Sequence, residues 1–235
     1  MEVKFFTSVM YGNVSEVREI LRLNPCLDVN WKSAKVNGWS ALHLSCANGL
    51  PAIVSLLLAH PDIDVNLKEA YGCTPFYWAC SNGRTSCVLL LLEESTIRVS
   101  EPSNGGYTPL SNVAHSGFLD IIRWWMVSGR DLDLGTPGNK DTDAVWRAGK
   151  VEKWHGETTQ KDKRKIATLL EKFLEVNNNN REDNNPASRF FLMTGRLPLD
   201  LQMVMCHRLV SSSRDIILGL ESEMAFRNLV KRMTH

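Results

Sequence analysis

No apolar run in the chain approaches the ~20 residues needed to span a bilayer; the longest covers residues 88–92. The opening Met-Glu-Val-Lys-Phe-Phe turns polar at once, without the apolar core of a signal peptide, so a cytoplasmic or nuclear chain is expected. An excess of one charge is also missing. With 27 basic and 26 acidic residues the formal charge is +1, which gives no whole-chain field to gather nucleic acid or an anionic membrane. The six cysteines, at 26, 46, 73, 80, 87 and 206, form no Cys-x-x-Cys pair and no Cys/His set of zinc-ligand spacing. They read as reduced thiols. The six histidines are dispersed, no glycine-rich phosphate loop follows a strand, and no nucleophile, base and acid stand together. A non-catalytic protein without metal or cofactor is expected.

Against these absences stands a period. Residues 72–83, Gly-Cys-Thr-Pro-Phe-Tyr-Trp-Ala-Cys-Ser-Asn-Gly, have counterparts at 38–49 and 106–117, so that Gly38, Gly72 and Gly106 are spaced by 34 residues. Gly49, Gly83 and Gly117 repeat the same spacing. Self-similarity of this length marks stacked units, each too small to bury its own apolar face. Cys46 and Cys80 also lie one period apart, which assigns them a small buried slot rather than a redox role.

Each unit opens with a helix-start signal, Ser40-Ala41, Thr74-Pro75 or Thr108-Pro109. The hydroxyl can accept from a free N–H of the first turn, and proline there gives up an N–H that had no partner. The helix can run only to Gly49, Gly83 or Gly117, where glycine allows a left-handed reversal. A second helix follows, with Ile53/Val54 one turn from Leu57/Leu58, Val88 from Leu91/Leu92, and Ile121/Ile122 from Trp125/Met126. Of the neighbouring Trp124 and Trp125, at least one is expected in the core. Short extended tails then lead into polar loops: Asp28-Val-Asn30, Asp64-Val-Asn66, Arg98-Val-Ser100 and Asp131-Leu-Asp133.

The ends depart from the pattern. The first unit keeps Gly12, Val17, Ile20 and Leu21 but lacks Thr-Pro, as a terminal cap would, and about three extra residues precede Gly49. A fifth unit is expected from Thr142, one period beyond Thr108, but Val151 stands where its glycine should be. The helical pattern returns at residues 165–170, so 149–161 reads as an insertion between its two helices. Residues 147–165 carry seven Lys/Arg against three acids. Such a run is either a solvated helix start or a site for an acidic peptide or phosphate.

Turn, helix, helix and tail in this order resemble the ankyrin repeat, whose hallmark Thr-Pro-Leu-His-x-Ala is matched by Ser40-Ala-Leu-His43, Thr74-Pro-Phe-Tyr77 and Thr108-Pro-Leu-Ser111. The resemblance implies an all-α ankyrin-repeat solenoid over residues 1–176. Its helix-turn-helix units with hairpin loops fall at about 1–35, 36–69, 70–103, 104–137 and 138–176. An Asn-rich linker at 177–186 and a small C-terminal helical module at 187–235 complete the expected organisation. In that family His43 occupies a slot where the imidazole bridges neighbouring units.

The resemblance also implies a monomeric protein-binding scaffold or adaptor whose partner meets the concave side. The positions that side leaves free carry Trp39, Tyr71, Cys73 and Tyr107 at the hairpins, and Asn48, Asn82 and His115 at the first-helix ends. Aromatic side chains with a polar tip are common interface anchors; packing on a neighbouring loop is the alternative. In the C-terminal module, Leu197-Pro-Leu-Asp-Leu201 with Met205 and Leu209 is similar to an F-box opening. Leu201-Gln-Met-Val-Met-Cys206 is similar to the Leu-x-x-x-Cys core of a SOCS box, with one residue too many. Either would make the chain a substrate-recognition adaptor of a ubiquitin ligase; a plain helical cap is the alternative.

Overall fold

A computed structural model describes residues 1–128, 130–136, 138–150 and 157–179. Among the described residues, ten α-helices and one 3-10 turn make up the regular structure, and the only β-pairing is an isolated bridge between Ser33 and Trp39. The helices pair off along the chain. They are α1 (Glu2–Met10) with α2 (Val14–Leu23), α3 (Ala41–Asn48) with α4 (Pro51–Leu58), and α5 (Pro75–Ser81) with α6 (Thr85–Glu93). Next come α7 (Pro109–Ser116) with α8 (Leu119–Ser128), then α9 (Ala144–Gly149) and α10 (Glu157–Asn179). Two compact units divide at Leu170/Glu171, within α10.

The helix starts form for the expected reason. The side chains of Ser40, Thr74 and Thr108 each accept from the backbone N–H three residues on, at 3.4, 3.2 and 3.1 Å. Gly49 and Gly117 end α3 and α7 at φ 71° and 78°, a conformation that disfavours any side chain. In the fifth repeat the cap is Asp143 rather than Thr142, its carboxylate accepting from Trp146 N–H at 2.9 Å. The second helix there begins by Glu157, inside the stretch expected to be an insertion, and runs on through Asn179. The remaining Asn-rich residues and the C-terminal module, including Leu197 to Leu209, lie outside the described residues.

Like helices stack on like. α1, α3, α5, α7 and α9 form one layer and α2, α4, α6 and α8 the other. The core lies between them as columns with the sequence period: Leu42, Phe76 and Leu110; Cys46, Cys80 and Ala114; Ile53, Cys87 and Ile121; Leu57, Leu91 and Trp125. All are buried. Burial pushes the thiols of Cys46 and Cys80 well up, so both remain protonated. Trp125 is fully buried, edge-on to Phe76 at 5.0 Å, while Trp124 stays partly exposed.

The hairpin tips are tied internally and to one another. Ser33, Glu69 and Ser103 N–H donate to the Trp39, Cys73 and Tyr107 carbonyls. Ala70 N–H reaches Asn37 O at 2.9 Å, and Asn104 N–H reaches Tyr71 O at 2.8 Å. Two of the three extra early residues fall in the first tip, which accommodates them with the turn Ala34–Val36 and with Asn37 at φ 48°. Beneath the tips, Asn30 bonds Asp62 O and Asp64 N, and Asn66 bonds Thr96 O and Arg98 N. Ser100 ends this ladder, and instead Arg130 donates to the carbonyls of Leu92, Glu94 and Ser95 at the end of α6.

Candidate partner-binding face

The tips and the inner helices of the second to fourth repeats form one face, rich in aromatic rings. Trp39 lies partly exposed with its ring 4.9 Å from that of Trp78. Tyr71 and Tyr107 are 57% and 37% exposed. Between them opens a cavity of about 450 Å³, lined by Tyr71, Cys73, Tyr107, Tyr77, Trp78, Ser81 and Asn112 among others. Thus three of the residues singled out in the sequence meet at one place, and Trp39 adjoins it. Asn48 and Asn82 are exposed at the ends of α3 and α5, where Asn82 Nδ2 donates back to Trp78 O at 2.9 Å. His115 is half-buried in the last turn of α7. None of these three lines the cavity.

Cys73 is only 3% exposed, so the cavity meets it as a wall rather than as a projecting contact. Burial, followed by a hydrogen bond and the charge of Glu69, raises its thiol to about 12. Glu69 is itself 5% exposed, and its carboxylate accepts from Tyr71 N–H at 2.9 Å and Cys73 N–H at 3.0 Å. That pair of charge-assisted bonds fixes the tip that presents Tyr71. Glu69 has no counterpart in the other tips, and sequence reading missed it.

The inner-helix wall holds two residues whose side chains depart from those the period would place there, a departure legible in the sequence, although neither was singled out as a binding residue. Trp78 occupies the slot of Leu44 and Asn112, and Tyr77 that of His43 and Ser111. Burial raises the Tyr77 phenol, an effect partly offset by Ser103 and Asn112. Asn112 donates to Ser81 Oγ at 3.2 Å. At the cavity's far edge Arg147 lies 5.0 Å over the Tyr107 ring and donates to Ser111 O and Asn112 Oδ1 at 3.0 and 3.3 Å. Lys163 is fully buried and Lys165 pairs with Asp162 at 3.0 Å, so this part of the basic run is engaged within the fold.

His43 belongs to the scaffold. Ser40 N–H donates to its Nδ1 at 3.2 Å, which leaves Nε2 as the protonated nitrogen, donating to Cys73 O at 3.1 Å in the next repeat. Burial lowers its pKa to about 4, in keeping with a neutral ring.

No group of three or more His, Cys, Asp or Glu able to hold a metal occurs among the described residues, and no described helix is long and apolar enough to cross a membrane. No curated relative matches the chain. A family model described as "Ankyrin repeats (3 copies)" matches residues 5–103 and 51–136. With the helix pairs, tips and columns repeating over the same residues, the chain belongs to the ankyrin-repeat family, whose arrays generally serve as protein–protein interaction modules and are typically not catalytic.

Proposed function

We propose that the chain is a monomeric scaffold or adaptor of the cytoplasm or nucleus that binds a segment of a partner protein along this face, anchored at the cavity between Tyr71 and Tyr107. The observation that carries the reading is the exposure of those two rings, on tips held by backbone bonds and Glu69, beside a formed cavity. A rigid support matters because an aromatic anchor already held in place loses little conformational freedom on binding. Interface energy concentrates in such residues.

The test compares proteins captured by the wild type, by Tyr71→Ala/Tyr107→Ala, and by Tyr11→Ala, a control aromatic that is 77% exposed at the end of α1. A partner held by the wild type and the control but weakened at least about tenfold by the double variant, at unchanged Tm, supports the assignment. Equal capture by all three overturns it. A second reading, a substrate-recognition adaptor of a ubiquitin ligase, rests on the spacing of Leu197, Leu201, Met205 and Leu209. It requires the full chain to co-purify with a cullin-linker protein and to lose it in Leu201→Asp.

A further inference from the structure

Of the basic run at residues 147–165, Arg147 stands at the edge of the cavity on the proposed binding face. Counted from the helix caps Asp143 and Thr108, it occupies the slot of Asn112 and, one repeat earlier, of Trp78, both of which line the cavity. Its guanidinium lies 5.0 Å over the Tyr107 ring. Nε, Nη1 and Nη2 donate to Ser111 O, Lys140 O and Asn112 Oδ1 at 3.0, 3.4 and 3.3 Å. All three acceptors are neutral. One N–H on each terminal nitrogen is left over.

No carboxylate among the described residues forms an ion pair with this guanidinium. Asp143 accepts from Gly138 and Trp146 N–H, Asp162 pairs with Lys165, and Asp141 acts on Arg147 only through its charge. Other arginines at the seams are compensated differently. Arg84 Nε meets Ala47 O in the last turn of α3, and Arg130 meets the carbonyls of Leu92, Glu94 and Ser95 at the end of α6. Carbonyls there carry the negative pole of the helix dipole, which favours a cation. Ser111 belongs to the first turn of α7, where that compensation is absent. Arg147 is nevertheless half-buried; burial lowers its pKa, opposed by Tyr107, Asp141 and Tyr77, and the group stays charged. A half-buried cation without a paired anion in its own chain is matched to one from outside.

The surroundings limit that anion. No side chain lining the cavity carries a charge, since burial holds the Cys73 thiol protonated. The Glu69 carboxylate is turned to the N–H groups of Tyr71 and Cys73. Arg147 thus offers the cavity edge a single positive charge, which suits a carboxylate better than a doubly charged phosphate. The planar guanidinium also matches the planar carboxylate in shape.

Resting on the proposed function of this face, we propose that Arg147 receives the side-chain carboxylate of an aspartate or glutamate in the partner segment, next to the part of that segment anchored at the cavity.

The experiment offers the full chain a library of random peptides displayed through their C-termini, so that every carboxylate free to bind belongs to a side chain. Enriched peptides are synthesised with amidated C-termini, and each acidic residue is replaced in turn by its amide. They are expected to need Tyr71 and Tyr107, and to carry one acid whose replacement weakens binding to the wild type about tenfold. Against Arg147→Gln, the acidic and amide peptides are expected to bind equally. Because Arg147 also ties the seam, Tm is measured for each variant. Arg147→Lys, which keeps a charge, is expected to restore part of the preference for the acid. An arginine that only held the seam would weaken both peptides alike and leave their ratio unchanged, which overturns the proposal. If enriched peptides need the tyrosines but no acid, the face stands and the carboxylate site falls. If an acid couples to Arg147 while the tyrosines are dispensable, the carboxylate site stands and the proposed anchor falls. If no peptide is enriched, both fall.

Discussion

The early and late seams of the array are closed by different chemistry. Between the second and third repeats, the bridging side chains stand on or near the period: His43 reaches Cys73 O, and Asn30 and then Asn66 span successive tails. Around the fourth repeat the same slots hold Ser111 and Ser100, which are too short to cross. Arginines take over, with Arg130 reaching back to the end of α6 and Arg147 to Ser111 O and Asn112. Stacking therefore requires donors at the carbonyls of helix ends and tails, and a long guanidinium supplies them from a position the period does not specify. Along the tails the early half keeps its seam by spacing and the late half by reach, while at the inner-helix ends and the tips long side chains serve early as well, Arg84 Nε donating to Ala47 O and Lys32 Nζ to Lys68 O.

The strongest way to break this comparison is through the core the two halves share. Phe76 of the third repeat meets Trp125 of the fourth edge-on, and Trp125 Nε1 donates to Asp131 O at 3.1 Å. Trp125→Ala is expected to cost about 3–5 kcal/mol and, having the larger void to leave, more than Leu57→Ala in the same slot two repeats earlier, for which about 2–5 is usual. Urea unfolding of both variants measures this. Equal costs would mean that the late half relaxes around its larger void more readily than the early half.

His43 sharpens the comparison by pH, since only the early seam depends on a neutral imidazole. Its folded pKa of about 4 lies below the ordinary histidine value, so between these limits the unfolded chain binds the proton first. The stabilisation is whole above about pH 6.5 and falls as pH drops towards 4. From pH 7 to pH 5 the loss is about 2 kcal/mol. The urea midpoint of the wild type should therefore fall more steeply over this range than that of His43→Gln. Parallel decline in the two proteins would remove His43 as the pH-sensitive element.

The same contrast explains what could be read from the sequence. Helix pairs, caps and core columns were legible because each repeats at a fixed spacing, and a residue such as Cys80 is interpretable from Cys46 alone. Cys73 and Tyr107 were legible at one slot and Tyr71 two residues before it, all at tip positions the repeat leaves free, and they meet at the cavity. Glu69 was not, because the next tip adopts the same backbone fold around Ser103, and spacing does not reveal that a carboxylate at this position turns back on the N–H groups of its own tip. Arg130 and Arg147 were not, because a flexible side chain of that length can reach many carbonyls, and spacing does not choose among them. The early start of α10 was hidden for a related reason: the missing glycine near residue 151 shows where the period fails but not how the chain resumes.

The smallest expected effect tests directly whether arginine stands in for the lost ladder. If Ser100 marks the place where the asparagine ladder stops, Ser100→Asn should restore a rung, its side chain reaching the backbone of Arg130 and Leu132 as Asn66 reaches Thr96 and Arg98. Arg130→Ala alone should cost about 1–2 kcal/mol, less than a fully buried charge-assisted set because Arg130 is partly exposed. Ser100→Asn alone should gain about 0.5–1 kcal/mol. The informative quantity is the coupling in the double variant, read from a four-point urea cycle. Where one device replaces the other, Arg130→Ala costs less in the Ser100→Asn background than in the wild type. Strict additivity would show that rung and guanidinium secure the seam independently, and the division between spacing and reach would then describe two reinforcements rather than a substitution.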